Sequence, residues 1–278
     1  MGVTGFHRIV LFKNRLAPIQ INWLGYCNTS GLREMDYIIS DPHLIYPEEE
    51  NLYSEKVVFM PNIWNCHSGF KLNRSENILP FIKNNYITFG SFNNFNKIND
   101  DVANTWSLIL KKIKNSKLIL KPSFKQDINR LKNIFKKNSI LNSVIFYENI
   151  KNFDDHLKLY KKIDIALDTF PYNGVTTSFE AIWMNVPVLT LKGYNFNSRC
   201  GNSINSNLKM YELIADNKHD YINKAIYLSN NVNHLLKIRK EIYQKALSTP
   251  LFDSKSFSVS FFDIINNLKK DHENSRKY

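Results

Sequence analysis

From about residue 86 onward the chain alternates short β-rich runs with amphipathic runs of helical length, and that alternation leaves few folds open. The runs YITFGSF, KLILKP, SVIFYEN, DIALDTF and VPVLTLKG have the β-branched and aromatic content of strands, and helices are expected between them near 99–115, 124–137, 153–162 and 176–185. Strands separated by helices pair in parallel and need cover on both faces, so an α/β fold built on a parallel sheet follows. Two helix starts carry signals of their own. Ser123 and Gln126 have capping-box spacing, and Asn152 precedes two aspartates in a first turn, where the helix dipole favours acids.

Residues 1–73 read differently. They hold three strand candidates, IQINWLGY, MDYIISD and KVVFMPNIW, with weak helical signal between them, as in the later part of an α/β domain. The polar stretch SGFKLNRSENIL reads as a linker, which divides the chain into a partial N-terminal lobe, 1–73, and a larger C-terminal lobe, 74–278. Beyond residue 208, MYELIADNKHDYINKAIYLSNN, HLLKIRKEIYQKALS and FFDIINNLKK read as helices, the last closing the lobe.

Composition narrows the function. With 278 residues, 43% of them hydrophobic, and nineteen phenylalanines, the chain has enough apolar material for real cores. Cys27, Cys66 and Cys200 are odd in number and widely spaced, which suits neither a disulfide framework nor a metal site. A reducing, cytoplasmic setting is expected, since no apolar run reaches the length of a membrane span and no signal peptide is visible. The net charge of +12 raises the question of nucleic acid, but the lysines of WSLILKKIKNSK and INRLKNIFKKN fall on the polar faces of expected helices. A solvated basic surface explains them better, so no nucleic-acid partner is expected, although such a field recruits small anions. The histidines show no ligand spacing, and no metal is expected.

Three loops could carry chemistry. GVTTSFE, residues 174–180, opens a helix directly after the apolar run IDIALD, and in parallel sheets ligands gather at the carboxyl ends of strands. Unpaired N–H groups at the helix start, the hydroxyls of Thr176 and Thr177, and Gly174 for close approach would suit a diphosphate. Thr177 and Glu180 are also spaced as a capping box worth about 1 kcal/mol, and on residue types alone cap and cradle stand even. In GSFNNFNKIND, Asn94 and Lys97 sit at the end of the first strand of this half, where Lys97 could neutralise a phosphate or be one more surface lysine. His156, in a helix first turn, could stack on a base or simply pack.

Six segments, taken in order, carry a further signal: RLAPIQINWLGYCNTSGLREMDYIISD, LYSEKVVFMPN, GSFNNFNKIND, ALDTFPYNGVTTSFEAIWMNVPVLTL, SRCGNSINSNL and LFDSKSF. With them the chain resembles the catalytic region of the O-linked N-acetylglucosamine transferase and SPINDLY-like glycosyltransferases, from about residue 8 to about residue 265. The resemblance implies two Rossmann-like lobes in the GT-B architecture. It implies a nucleotide-sugar donor, a UDP-sugar first and a GDP-sugar as the alternative, no metal or other cofactor, and protein Ser/Thr hydroxyls as acceptors. It implies that Asn94 and Lys97 meet the diphosphate, with Lys97 stabilising the leaving phosphate, and that Thr176 and Thr177 bind the pyrophosphate. His156 is implied beside the base, Glu180 on the ribose, and Thr29, Ser30 and Gly31 on the donor-sugar side. The pattern departs from the family at Val175, where a histidine is usual, at Asn94, where glutamine is usual, and in the Gly25–Gly31 loop, which lacks a Pro and a Gly. The chain is expected to begin inside the N-terminal lobe, which would make it a fragment, a subunit whose partner supplies the rest of that lobe, or a decayed paralogue. The alternative is a catalytically incomplete nucleotide-binding module, and a nucleic-acid binder ranks third.

Overall fold

The computed structural model describes residues 8–74, 78–121, 128–147, 150 and 152–275. β1 (Ile21–Asn22), β2 (Tyr37–Ser40) and β3 (Lys56–Phe59) form a parallel three-stranded sheet in that order. A short helix, α1 (Pro80–Asn84), leads into the second sheet. That sheet is built from β4 (Thr88–Ser91), α2 (Asp100–Lys112), β5 (Lys117–Leu120), α3 (Ile128–Lys137), β6 (Val144–Phe146), α4 (Phe153–Leu159) and β7 (Ile165–Leu167), followed by α5 (Thr176–Trp183), β8 (Val188–Leu191), α6 (Phe196–Asn207) and β9 (Ile214–Ala215). Helices α7 (Lys218–Asn230), α8 (Val232–Lys245) and α9 (Ser254–Ser275) complete the chain.

The second sheet is six-stranded and parallel in the order β6-β5-β4-β7-β8-β9. The chain enters at β4, winds outward to β6, returns to place β7 beside β4, and winds outward again to β9. The two half-sheets therefore run apart at β4 and β7, and the crevice beyond the carboxyl ends of that pair is where such folds bind ligands. Continuous apolar strands make this possible: Phe89, Leu118, Leu120, Ile165 and Leu189 are fully buried. Helix α2 covers them with Val102, Ala103, Trp106 and Ile109, an i, i+3/i+4 stripe, and Asn99 caps it by accepting the Val102 N–H at 2.9 Å. The expected cap at Asn152 forms likewise, accepting the Asp155 N–H at 3.1 Å, whereas the Ser123–Gln126 pair lies outside the described residues.

Two stretches differ from their sequence reading. Residues 211–215, expected to be helical, form a 3-10 turn and then β9, because Ile214 and Ala215 find partners in Thr190 and Leu191 at the sheet edge. The second is α6, where no helix was expected: its buried i, i+4 stripe of Phe196, Cys200, Ile204 and Leu208 is thin among polar residues. Its polar side chains are buried because the other sheet's loops need them. Ser203 donates to Asp41 at 2.6 Å, Asn202 to the His43 carbonyl at 3.0 Å, Asn207 to the Asn62 carbonyl at 3.3 Å, and Arg199 to Glu49 at 2.7 Å. Burial pushes the Asp41 carboxyl up to about 6 even with three donors aimed at it. The polar stretch expected as a linker is anchored too, since Arg74 donates to the Trp183 and Tyr243 carbonyls and to Asn185. Helix α9 then returns to the first sheet, its Phe261 ring 4.5 Å from that of Trp23.

Candidate functional site

Beyond the carboxyl end of β7 the chain makes a tight polar turn around one carboxylate. Asp168, buried, accepts the N–H of Gly174 at 2.7 Å, that of Thr169 at 2.9 Å and the hydroxyl of Thr190 at 2.8 Å. Burial pushes its carboxyl up to about 6, and these donors and the Lys97 ammonium pull the other way. Gly174 is glycine for this turn: a Cβ there would lie 2.6 Å from Thr177 Oγ1 and 2.7 Å from Asn93 Oδ1. The close approach expected of Gly174 is thus to the chain's own side chains.

The turn feeds α5, and here the capping-box reading fails. The helix begins at Thr176, with Val175 in the cap position and no side-chain cap. Thr177 lies inside the first turn and donates its hydroxyl to Asn93 at 2.8 Å, while Glu180 turns inward. The first-turn N–H groups therefore keep their positive dipole end without a capping side chain or an acid beside it. Thr176 is exposed at the same mouth.

Lys97 comes to this mouth from the other half-sheet. It ends a 3-10 turn, Phe95–Lys97, that follows β4 and is capped by Asn94, whose side chain accepts the Asn96 N–H at 3.0 Å. The Lys97 ammonium donates to the Asn173 carbonyl at 2.8 Å and lies 4.1 Å from the centre of the Tyr172 ring. Burial lowers its pKa, and the Asp168 carboxylate opposes that shift. An ammonium held by one carbonyl retains two further N–H donors.

A third group sits beside the first turn of α5, where the Tyr160 hydroxyl also donates to the Thr177 carbonyl at 3.1 Å. His156 Nε2 and the Tyr160 hydroxyl each lie 2.9 Å from Glu180 Oε2, and all three side chains are buried. The His156 ring is surrounded by Phe92, Phe153 and Tyr160 at 5.6–5.8 Å, and its Nδ1 has no hydrogen-bond partner among the described residues. Lys121, at the end of β5, is buried as well; burial lowers its pKa and the Glu180 carboxylate raises it. The crevice under the mouth, lined by Phe92, Asn93, Asp168 and Thr177, holds about 10 Å³, room for a water at most, so a ligand would lie across the mouth.

The loop Thr29-Ser30-Gly31 belongs to the first sheet and is organised by the buried Glu55. Thr29 Oγ1 donates to Glu55 Oε2 at 2.7 Å, the Ser30 N–H donates to Oε1 at 2.7 Å, and Gly31 takes a left-handed φ of 70° that suits glycine. Burial pushes the Glu55 carboxyl up, but the bonds from Ser30 and Thr29 outweigh it and hold the group below the usual range.

Of the residues singled out in the sequence, Asn94, Lys97, Gly174, Thr176 and Thr177 lie around one mouth, and His156 and Glu180 form a bonded pair next to it, joined to Thr177 through the Tyr160 hydroxyl. Sequence reasoning passed over Asn93, Asp168, Asn173, Tyr160 and Lys121. Tyr160 was legible in principle, standing four residues after His156 on the same helix face. Among the described residues no group of three or more His, Cys, Asp or Glu could hold a metal ion, and no helix is long and apolar enough to cross a membrane.

The glycosyl transferase family 41 model matches residues 1–72 and 72–261 of the chain. The probable UDP-N-acetylglucosamine–peptide N-acetylglucosaminyltransferase SPINDLY of Arabidopsis thaliana is 30% identical over 281 residues, which cover 98% of this chain and 30% of that relative. The barley (Hordeum vulgare) protein of the same description is 33% identical, over 92% of this chain and 28% of its own length. This chain thus spans under a third of these curated relatives. Among solved structures, a mutant of the Thermobaculum terrenum O-GlcNAc transferase superposes with a TM-score of 0.88 at 30% identity, covering 97% of this chain and 52% of that one. The parallel sheets and this likeness establish the α/β, GT-B-like fold expected from the sequence. With its family model matched across both sheets, the chain belongs to glycosyl transferase family 41.

Proposed function

We propose that the protein is a metal-independent glycosyltransferase that takes a sugar, N-acetylglucosamine, from a UDP-sugar and passes it to Ser/Thr hydroxyls of a protein acceptor, the work being shared between a lobe of residues 1–73 and one of residues 74–278. The observation that carries this reading is the meeting of the Lys97 ammonium with the uncapped start of α5 at the point where the half-sheets diverge. As the bond from the sugar to the diphosphate breaks, negative charge grows on the leaving oxygens. A lysine and a fixed row of N–H dipoles aimed there stabilise that charge without reorganising, which is the larger part of what such a site can do. The acceptor hydroxyl oxygen forms the new bond to the sugar as the old one breaks, and its proton passes to the departing diphosphate or to solvent.

The remaining roles follow from what each side chain has left to offer. Asn94 spends its carbonyl oxygen on its own turn, so its amide N–H groups serve the diphosphate, beside the Thr176 and Thr177 hydroxyls. Both hydrogen bonds to Glu180 fall on Oε2, so Oε1 is the acceptor for a ribose hydroxyl, and His156, oriented by that carboxylate, lies beside the base. Gly174 keeps the turn tight, and Thr29, Ser30 and Gly31 line the sugar side. The relatives' names specify a UDP-linked donor and a peptide acceptor, and a cytoplasmic setting and a partner or further segment supplying the rest of the N-terminal lobe belong to the same proposal.

The test is transfer of label from UDP-N-acetylglucosamine to an acceptor peptide, with UDP binding measured by calorimetry. Lys97→Ala should slow transfer by about 10²–10³-fold with little change in melting temperature. Transfer at the wild-type rate would refute the assignment. UDP binding without transfer, in wild type as well, would favour a nucleotide-binding module.

A further inference from the structure

We infer that the larger sheet carries a second ligand site, away from the mouth of α5, for a small polyphosphorylated molecule. The groove lies on one face of β4, β5 and β6 and is walled by α1 on one side and by the 3-10 turn Tyr160–Lys162 on the other. It encloses about 490 Å³, within the range of sites that hold cofactor-sized molecules. Strand alternation builds it: Thr88 from β4, Lys117 and Ile119 from β5, and Ile145 and, just after it, Tyr147 from the β6 side project to the same face.

Three observations point to an anion with a carbon skeleton. First, Lys83, Lys117, Lys161 and Lys162 all line the groove, and among the described residues no carboxylate lines it and none of the four is ion-paired. Clustered ammonium groups without counter-charge create a potential that draws a multiply charged anion. Lys117 is already fixed at the rim by the Asn142 carbonyl at 3.1 Å, and the Lys162 ammonium stands 5.9 Å from the centre of the Tyr147 ring. Second, the floor between the lysines is apolar, and Ile145 on it remains 41% exposed while Ile78 at the rim is 79% exposed. Third, Thr88 is 3% exposed and its N–H is satisfied by Asp164, yet its buried hydroxyl has no hydrogen-bond partner among the described residues. A buried hydroxyl left unpaired is costly, and a ligand oxygen reaching it would remove that cost. A concavity of this size, open on one side, fits a compact ligand such as a nucleoside polyphosphate. A nucleic-acid strand would need a basic track continuing beyond it.

Calorimetry with ATP and with inorganic tripolyphosphate as probes tests the site on the chain as it stands. With UDP saturating the α5 mouth, the double variant Lys161→Ala/Lys162→Ala, on an exposed turn, should weaken both by about tenfold or more. Thr88→Val should weaken them severalfold while raising the melting temperature, which separates lost contact from lost folding. ATP binding tighter than tripolyphosphate would place the ring on Tyr86 or Tyr147. Affinities untouched by the double variant, or binding abolished by saturating UDP because the anion sits at the α5 mouth, would overturn the proposal. So would a single-stranded oligonucleotide that binds far more tightly than ATP.

Discussion

Helices α5 and α6 both start after a strand of the same sheet and both open with small polar residues, but they spend those residues in opposite ways. In α6 the polar groups singled out at the seam are paired. Asn195 and Ser198 form a reciprocal capping box, and Arg199, Asn202, Ser203 and Asn207 reach across to groups of the smaller sheet's loops. At the start of α5 there is no cap, Thr176 is exposed, and the nearest cation is held by a carbonyl. Saturated polar groups hold two parts of a molecule together, and donors kept in hand are what a ligand can use. Both helix starts carry small hydroxyl or amide residues, so the bookkeeping of partners tells seam from site.

The comparison can be broken first at the seam. Arg199→Ala leaves Glu49 without its partner and removes donors from the Leu44 and Gly193 carbonyls; the cost expected is about 3 kcal/mol, the low end for a broken buried pair because Glu49 is partly solvated. Urea unfolding would measure it, and a change under 1 kcal/mol would mean that the seam is held by packing instead. Gly201→Ala comes next. A Cβ there would lie 2.0 Å from Thr190 Oγ1 and 2.7 Å from Asp168 Oδ2, so α6 must shift from β8, at roughly 1–3 kcal/mol for an overpacked core. Because Asp168 organises the turn before α5, the same variant should also weaken UDP binding, and a variant that lost stability with affinity intact would show seam and mouth to be independent. Thr177→Val is smaller, at about 1 kcal/mol for one side-chain hydrogen bond, that to Asn93. If the mouth is a ligand site, UDP affinity should fall by more than stability does.

How much of this was legible in the sequence depends on which force set the structure. Strands β4 to β8 were readable because continuous apolar runs and period-2 or period-3.6 patterns come from burial, which is written in residue type. Helix α6 was not, because its inward faces are satisfied by partners more than a hundred residues away, and no local window contains them. β9 was masked by a helical pattern that edge pairing overrode. At the mouth, the residues whose type suits an anion, such as Lys97 and the threonine pair, stood out. Asp168 and Asn173, which position them, did not, since a buried Asp or Asn in a turn looks like any other until its donors are seen.

The smallest effect expected is also the sharpest test of how the two half-sheets cooperate at the mouth. Burial lowers the pKa of Lys97, so its positive charge is lost as pH rises through a value below the ordinary lysine range. Asp168, pushed up to about 6, is ionised throughout that window and holds the lysine's pKa higher than burial alone would allow. Its replacement in Asp168→Asn keeps an acceptor for the Gly174 and Thr169 N–H groups and a donor toward Thr190, but removes the charge. The alkaline fall in UDP affinity should therefore move to lower pH by about one unit or less, a change of under about tenfold at any one pH. UDP's own titration is common to both proteins and cancels in the comparison. Superimposable affinity profiles for wild type and variant would show that Lys97 does not feel Asp168, and that the two sides of the mouth act separately on the ligand.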